Sequence, residues 1–181
     1  MIRMHFHLFM KQQQNKTWTA KDIAVIGVMT ATLEAAKTAL SFLPNVELVT
    51  LLIILYTLFL GRKAIIAVLA FVGVECILWG FGLWTVMYFY IWPLLVLLTY
   101  LLRKQKSVFV FAILSGLFGL FFGALCAIPY FFIGGISMAV TWWISGIPYD
   151  VLHCVSNFVL CMVLFVPLRT ILNKIKYTIY Q

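Results

Sequence analysis

Long apolar runs, separated by short polar stretches, fill the sequence after residue 20. A helix needs about 20 apolar residues to cross a hydrocarbon core about 30 Å thick, and six runs approach or exceed that length. They cover residues 22–43, 46–61, 64–82, 84–102, 107–133 and 138–170. The second run is short, and the last two are long enough to contain a loop. Because the ten-residue alternation of a barrel is absent, the pattern predicts an all-α integral membrane protein with six transmembrane helices.

Composition supports this interpretation. Hydrophobic residues make up 65% of the 181 residues and charged residues 10%, against about 45–50% and about 25% in soluble proteins. A soluble fold of this size could not bury so much apolar surface, which excludes a soluble enzyme, a nucleic-acid-binding protein and a disordered chain. We expect a polar N-terminal tail over 1–20, without a cleavable signal peptide, a single membrane domain over 21–172 and a C-terminal tail over 173–181.

The basic residues predict the orientation. The net charge is +8, and in a six-helix arrangement 12 of the 13 Lys and Arg residues fall on one side of the membrane. Only Lys37 does not. Basic connections remain inside the cell, so both termini are expected in the cytoplasm and the protein in the cell membrane. The 12 residues are Arg3, Lys11, Lys16, Lys21, Arg62, Lys63, Arg103, Lys104, Lys106, Arg169, Lys174 and Lys176.

The strongly polar residues inside the apolar runs all fall in the half of the membrane opposite the basic residues. Intramembrane charge is costly, and such residues therefore indicate a functional site. The pattern predicts a ligand pocket open to the outside and closed below by apolar side chains. Aromatic residues cluster near the same face, where an interfacial belt is the simpler explanation and stacking on a ligand the alternative. The candidate ligand-binding residues are Glu34, Lys37, Asn45, Glu47, Glu75, Tyr88, Trp143, Asp150, His153 and Asn157.

Local spacing suggests how some of these groups interact. Glu34 and Lys37 lie three residues apart and can form an ion pair on one helical face. A second set, Asp150, His153 and Asn157, also shares one face, where it serves either a ligand or a hydrogen-bond network between helices. Glu75 has no partner nearby in the sequence. It must find Lys37, His153, a ligand or a proton.

Small residues recur at every fourth position on two of the expected helices. The first stripe consists of Gly27, Ala31, Ala35 and Ala39, and the second of Ser115, Gly119 and Gly123. Small residues allow helices to approach closely within a membrane. Each stripe therefore indicates either packing inside the chain or, for the first stripe, docking of another membrane protein.

Several chemistries have no matching motif in the sequence. It lacks the P-loop pattern for ATP and the HExxH pattern of zinc proteases. The four cysteines show no metal-ligand spacing and are expected to be reduced and buried. We therefore expect no enzymatic activity, no metal site and no permanently bound cofactor.

Three segments resemble the S components of bacterial energy-coupling factor (ECF) vitamin transporters. They are EAAK at 34–37, PNVELVT at 44–50 and GIPYDVLH at 146–153, continuing to Asn157. The small-residue first helix adds to the resemblance, which covers roughly residues 20–172. It implies a membrane subunit that binds a vitamin near the outer face, under the connection between the first two helices.

The resemblance also implies partners. An S component docks on a transmembrane T component that carries two ATPase subunits, and ATP hydrolysis then occurs in those partners. The docking motif of the family maps onto Ala31 and Ala35, and Gly27 and Ala39 extend it. Cobalamin is the first candidate for the transported vitamin. The alternatives are a carrier that needs no partner, a membrane assembly protein without a small ligand, and an intramembrane hydrolase built from Glu34, Glu75, Asp150 and His153.

Overall fold

The computed structural model describes residues 19–180, apart from the side chain of Tyr180. This part of the chain contains helices and no strand. A short 3₁₀ turn at Gly61–Lys63 links the second helix to the third. The helices are α1 (Ala20–Ala39), α2 (Val49–Leu60), α3 (Ala64–Trp79), α4 (Leu83–Leu101), α5 (Val108–Leu120), α6 (Phe122–Cys126) and α7 (Ile128–Tyr180).

Three helical stretches in the described residues are long and apolar enough to cross a membrane. They are Val49–Trp79, Leu83–Leu101 and Ile128–Ile179, and Val108–Leu120 is a shorter apolar helix. The first stretch contains both α2 and α3. The six expected spans are therefore not each long and apolar enough to count separately. The first helix, α1, carries four charged residues, and α5 ends after Leu120, where Phe121 leaves the helix (φ −96°, ψ 3°).

Contacts between distant residues give the directions of the helices. Thr30 on α1 donates to the carbonyl of Ala67 on α3, and Lys37 lies against Glu75, so α1 and α3 run the same way. Thr32 and Tyr56 meet between α1 and α2, which run in opposite directions. At one end of the bundle, Lys21 donates to the carbonyl of Ile179. We call this the terminal end, and the opposite end, with residues 40–48 and 80–82, the loop end.

A capping box starts α1 at the terminal end. The Thr19 hydroxyl accepts from the backbone N–H of Asp22, and the Asp22 carboxylate accepts from the N–H of Thr19. These bonds satisfy amide groups that the first turn of a helix leaves free. Asp22 also pairs with Lys63 at 3.2 Å, which ties the start of α1 to the turn between α2 and α3.

Close packing joins α5 and α6 to α7. A Cβ atom added to Gly119 would stand 2.8 Å from the backbone carbonyl of His153, and one added to Gly116 would stand 3.3 Å from that of Cys154. The ring of Phe111 stacks on Phe165 nearer the terminal end. The second small-residue stripe therefore packs inside the chain.

The connections at the loop end differ from the expected ones at 43–46, 80–84 and 129–140. The first is longer, because α1 ends at Ala39 and the chain turns through Pro44 and Asn45, whose φ is +54°. The third is not a loop. Gly134 and Gly135 interrupt α7 with non-helical angles, and a φ of +74° at Gly135 permits the reversal in two residues. Residues 136–180 then form one long helix, which continues through the expected C-terminal tail as far as Tyr180.

Candidate ligand-binding site

The connection over residues 40–48 is held against α7 at the loop end. Glu47 Oε1 lies 3.2 Å from His153 Nε2, and the Ser156 hydroxyl donates to the Asn45 carbonyl at 2.8 Å. Glu47 Oε2 also accepts from the backbone N–H of Thr50 at 2.8 Å, in the first turn of α2. One carboxylate thus fixes the connection to α7 and stabilises the start of α2.

A cavity of about 300 Å³ lies beneath this connection. Its volume is at the lower end of the range for small-molecule sites, about 300–1,000 Å³. The walls combine apolar and aromatic side chains with a few polar groups, as is typical of such sites. The lining residues are Lys37, Leu40, Ser41, Leu43, Pro44, Asn45, Val46, Glu47, Val49, Tyr88, Trp92, Phe122 and His153.

A buried ion pair lies at the edge of this cavity. Lys37 Nζ on α1 contacts Glu75 Oε2 on α3, and Glu75 is 0% exposed. Glu34 lies one turn before Thr38 on α1, and the Thr38 hydroxyl donates to it at 3.4 Å. Of the pairings left open by the sequence, the structure selects Lys37 with Glu75 and not Lys37 with Glu34.

Aromatic rings surround the ammonium group of Lys37. Its Nζ lies 5.1 Å from the ring centre of Trp84 and 5.3 Å from that of Tyr88, within the range of cation–π attraction. A second cavity of about 420 Å³ is lined by Lys37, Trp79, Trp84 and Tyr88. Because Lys37 and Tyr88 line both cavities, the two spaces are adjacent.

Several buried polar atoms at the loop end have no hydrogen-bond partner among the described residues. Such groups are few in folded proteins, and each calls for an explanation such as a ligand or an ordered water. Five of them belong to residues that the sequence had already indicated: Glu34 Oε2, Glu75 Oε1, Asp150 Oδ2, His153 Nδ1 and Asn157 Nδ2. Thr50 Oγ1 and Trp92 Nε1 also lack a partner, and the sequence had not indicated these two residues.

The environment of Glu47 favours its charged form. Burial raises the pKa of this carboxyl group, but the hydrogen bond and charge of His153 and the bonds from Thr50 act in the opposite direction. The second effect is larger, so the pKa of Glu47 lies below its ordinary value. Glu47 is therefore a carboxylate at neutral pH.

The structure does not bring all of the candidate residues to the cavities. Asp150 is buried and accepts from the backbone N–H of Gly123 at 2.9 Å, and Asn157 is also buried, but neither lines a cavity. Glu34 and Glu75 also line neither cavity, and Glu75 contacts the lining residue Lys37. Trp143 is 39% exposed and lies on the part of α7 near the Gly134–Gly135 break, where it lines neither cavity. The loop expected beside Trp143 is helix, and a role of Trp143 at the pocket stays a prediction.

Trp92 and Phe122 line the cavity and were missed as candidates. Trp84, Tyr88 and Trp92 follow one another at four-residue spacing on α4, and each ring meets the next edge-on at 5.4 Å. That spacing was visible in the sequence and indicates one aromatic face. Phe122 had no such signal, since its position depends on the packing of α6 against α4 and α7.

The first small-residue stripe faces away from the bundle. Gly27, Ala31, Ala35 and Ala39 are all exposed along α1. A Cβ atom added to Gly27 would meet nothing within 4 Å. The stripe is therefore available on the outer surface of the described bundle.

No family model, no curated protein and no solved structure gave a significant match to this chain.

Proposed function

We propose that the chain is the substrate-binding subunit of an ATP-driven importer of the ECF type, which captures a vitamin or related micronutrient. The observation that carries the proposal is the cavity of about 300 Å³ beneath the connection over residues 40–48. That connection is anchored by few polar contacts, chiefly Glu47 to His153 and Asn45 to Ser156. A ligand can enter where these contacts open and be enclosed where they re-form.

The membrane arrangement of the proposal uses the directions of the helices. Six helical rods would cross the bilayer, with α5, α6 and residues 128–133 counted as the fifth rod and residues 136–180 as the sixth. The described basic residues other than Lys37 are near the terminal end or in the connection after α4. By the positive-inside rule the terminal end would face the cytoplasm, and the cavity beneath residues 40–48 would face the outside.

The partners of the proposed subunit would be a T component and two ATPase subunits. The exposed stripe on α1 supports this part, because small residues on an outer surface allow a second helix to approach closely. The ligand remains a vitamin, with cobalamin as the first candidate, although a molecule of that size would enter the cavity of about 300 Å³ only with the connection over residues 40–48 opened. Mixed charge at Lys37, Glu75 and Glu47, together with aromatic walls, suits a partly polar ring compound.

The first test measures the thermal stability of the detergent-purified chain against a panel of vitamins that includes cobalamin. A ligand at 1,000 times its dissociation constant should stabilise the folded state by about 4 kcal/mol, which is a clear rise in Tm. A rise with one vitamin names the substrate. The absence of a rise across the panel would contradict vitamin capture and favour an assembly role.

A pair of variants separates binding from folding. Glu75→Gln removes the charge that faces Lys37, and we expect about tenfold weaker ligand binding because Lys37, which lines the cavity, loses the carboxylate that positions it. Asp22→Asn is the matched control, since Asp22 is also buried and paired with a lysine, Lys63, but lies at the terminal end. Equal loss of binding in both variants would show that Glu75 acts only through stability.

A variant of the small-residue stripe on α1 tests docking on a T component. Ala35→Leu should abolish co-purification with a T component and its ATPases while leaving ligand binding unchanged, because the added side chain blocks close helix approach. Ala70→Leu, at an exposed alanine of α3, is the control.

Ligand uptake into vesicles by the chain alone, without an ATPase, would instead identify a carrier that needs no partner.

A further inference from the structure

An apolar groove runs along the outside of the bundle at the terminal end, away from the loop-end cavities. It has a volume of about 450 Å³ and lies between α1, α2 and the last turns of α7. Its walls are aliphatic and aromatic apart from Lys21 and three hydroxyl groups. The lining residues are Lys21, Ala24, Val25, Val28, Met29, Thr32, Tyr56, Phe59, Leu172, Ile175, Thr178 and Ile179.

The length of the groove matches one leaflet of a membrane. Along α1 it extends from Lys21 to Thr32, and 11 residues at 1.5 Å each give about 16 Å. Half of a hydrocarbon core about 30 Å thick is about 15 Å. At the end of the groove deeper in the bundle, near Thr32, the Thr32 hydroxyl and the Tyr56 hydroxyl bond to each other at 2.5 Å. They satisfy one another and present no free polar group to the groove.

Two ammonium groups lie at the mouth of the groove, which is its end near Lys21 and Phe59. Lys21 Nζ donates to the carbonyl of Ile179 at 2.8 Å, and Lys176 Nζ donates to that of Phe59 at 3.3 Å, beside a ring that lines the groove. These contacts hold both cations beside the mouth without neutralising them. The nearest described acid, Asp22, pairs with Lys63. The mouth therefore carries net positive charge.

We propose that this groove binds an anionic phospholipid of the leaflet at the terminal end. One acyl chain would fill the groove from Phe59 to Thr32, and Lys21 and Lys176 would hold the phosphate group. A basic patch at the cytoplasmic end of transmembrane helices is the arrangement that recognises acidic lipid headgroups. The proposal requires the chain to lie in a membrane, but it does not depend on vitamin import.

Lipid binding is measured on the full chain by native mass spectrometry, with phosphatidylglycerol and phosphatidylcholine of identical acyl chains. We expect a retained adduct with a clear preference for phosphatidylglycerol. Lys21→Gln should reduce that preference about fivefold, the effect of one basic residue near a charged headgroup. Lys104→Gln, at an exposed lysine in the connection after α4, should leave it unchanged. Equal binding of the two lipids to the unmodified chain would overturn the proposal.

A second pair of variants tests the groove itself. Val28→Trp fills the groove and should remove the retained lipid. Val163→Trp on α7 is its control, because Val28 and Val163 are both 64% exposed but only Val28 lines the groove. Unchanged lipid binding by Val28→Trp would overturn the proposal. So would a dimer in the mass spectrum that Val28→Trp dissociates, since a second copy would then occupy the groove.

Discussion

At the scale of single residues, Glu47 connects the loop-end site to the fold. Its carboxylate contacts His153 on α7 and accepts the Thr50 N–H at the start of α2. A carboxylate near the first turn of a helix is stabilised by the free amide groups there. The same side chain therefore closes the connection over the cavity and positions α2 beneath it.

We predict that Glu47→Gln removes a pH-dependent contribution to stability. A lowered pKa means that the carboxylate stabilises the fold above the unfolded-state value of about 4.3, and that this contribution disappears as the pH falls through the still lower folded-state pKa. Tm of the unmodified chain should exceed that of Glu47→Gln at pH 7, by the equivalent of about 1.5–3 kcal/mol for a charged hydrogen bond. The two should converge below pH 4. Unfolding is followed by tryptophan fluorescence, and a difference in Tm that does not shrink as the pH falls below 4 would show that charge is not the cause.

At the scale of elements, the pair formed by α5 and α7 depends on glycine. Gly116, Gly119 and Gly123 let α5 and α6 approach α7 so closely that a Cβ atom would meet Cys154, His153 or Asp150. This contact sets the position of His153 relative to Phe122, whose rings lie 5.1 Å apart. One wall of the cavity is thus fixed by a helix interface below it.

We predict that Gly119→Ala destabilises the chain by about 1–3 kcal/mol, the usual effect of overpacking a close interface. The added methyl group would meet backbone atoms of His153, which cannot rotate away as a side chain can. Gly73→Ala on α3 is the matched control, because nothing lies within 4 Å of its added Cβ. It should be neutral or stabilising by up to about 1 kcal/mol. Similar Tm values for the two variants would argue against the tight interface.

At the scale of the whole molecule, α1 and α7 meet at the terminal end while the cavities lie at the loop end. Lys21 on α1 donates to Ile179 on α7, whereas Lys37 lies at the other end of α1 and contacts Glu75 on α3. A candidate site at one end and basic residues at the other would give the molecule a direction across a bilayer. The proposed import function requires that direction to be fixed.

We predict opposite accessibility of the two ends in intact cells. In a variant whose native cysteines are replaced by alanine, Phe81→Cys in the turn between α3 and α4 should react with a membrane-impermeant maleimide. Lys104→Cys should react only after the membrane is opened. The parent without cysteine gives the background. Labelling of both positions from outside would refute the six-span arrangement.

The local sequence determined which segments of this protein are helical and where its buried polar residues lie along the chain. Each of the six apolar runs contains a helix, since helix formation and apolar character depend on residues close in the sequence. The positions of the buried polar residues were also readable, because a charged residue within an apolar run is conspicuous wherever the run folds. The second small-residue stripe was readable as a site of close helix packing, because the spacing of small residues is visible in the sequence.

The tertiary structure alone decided which of these groups meet. Lys37 pairs with Glu75, 38 residues away, and Glu47 with His153, 106 residues away. It also decided that Phe122 and Trp92 enter the cavity, that Trp143 stays outside it, and that the stripe on α1 is exposed. These outcomes depend on how helices pack against one another. Many packings bury the same apolar residues, and only the actual one selects the partners of the polar groups.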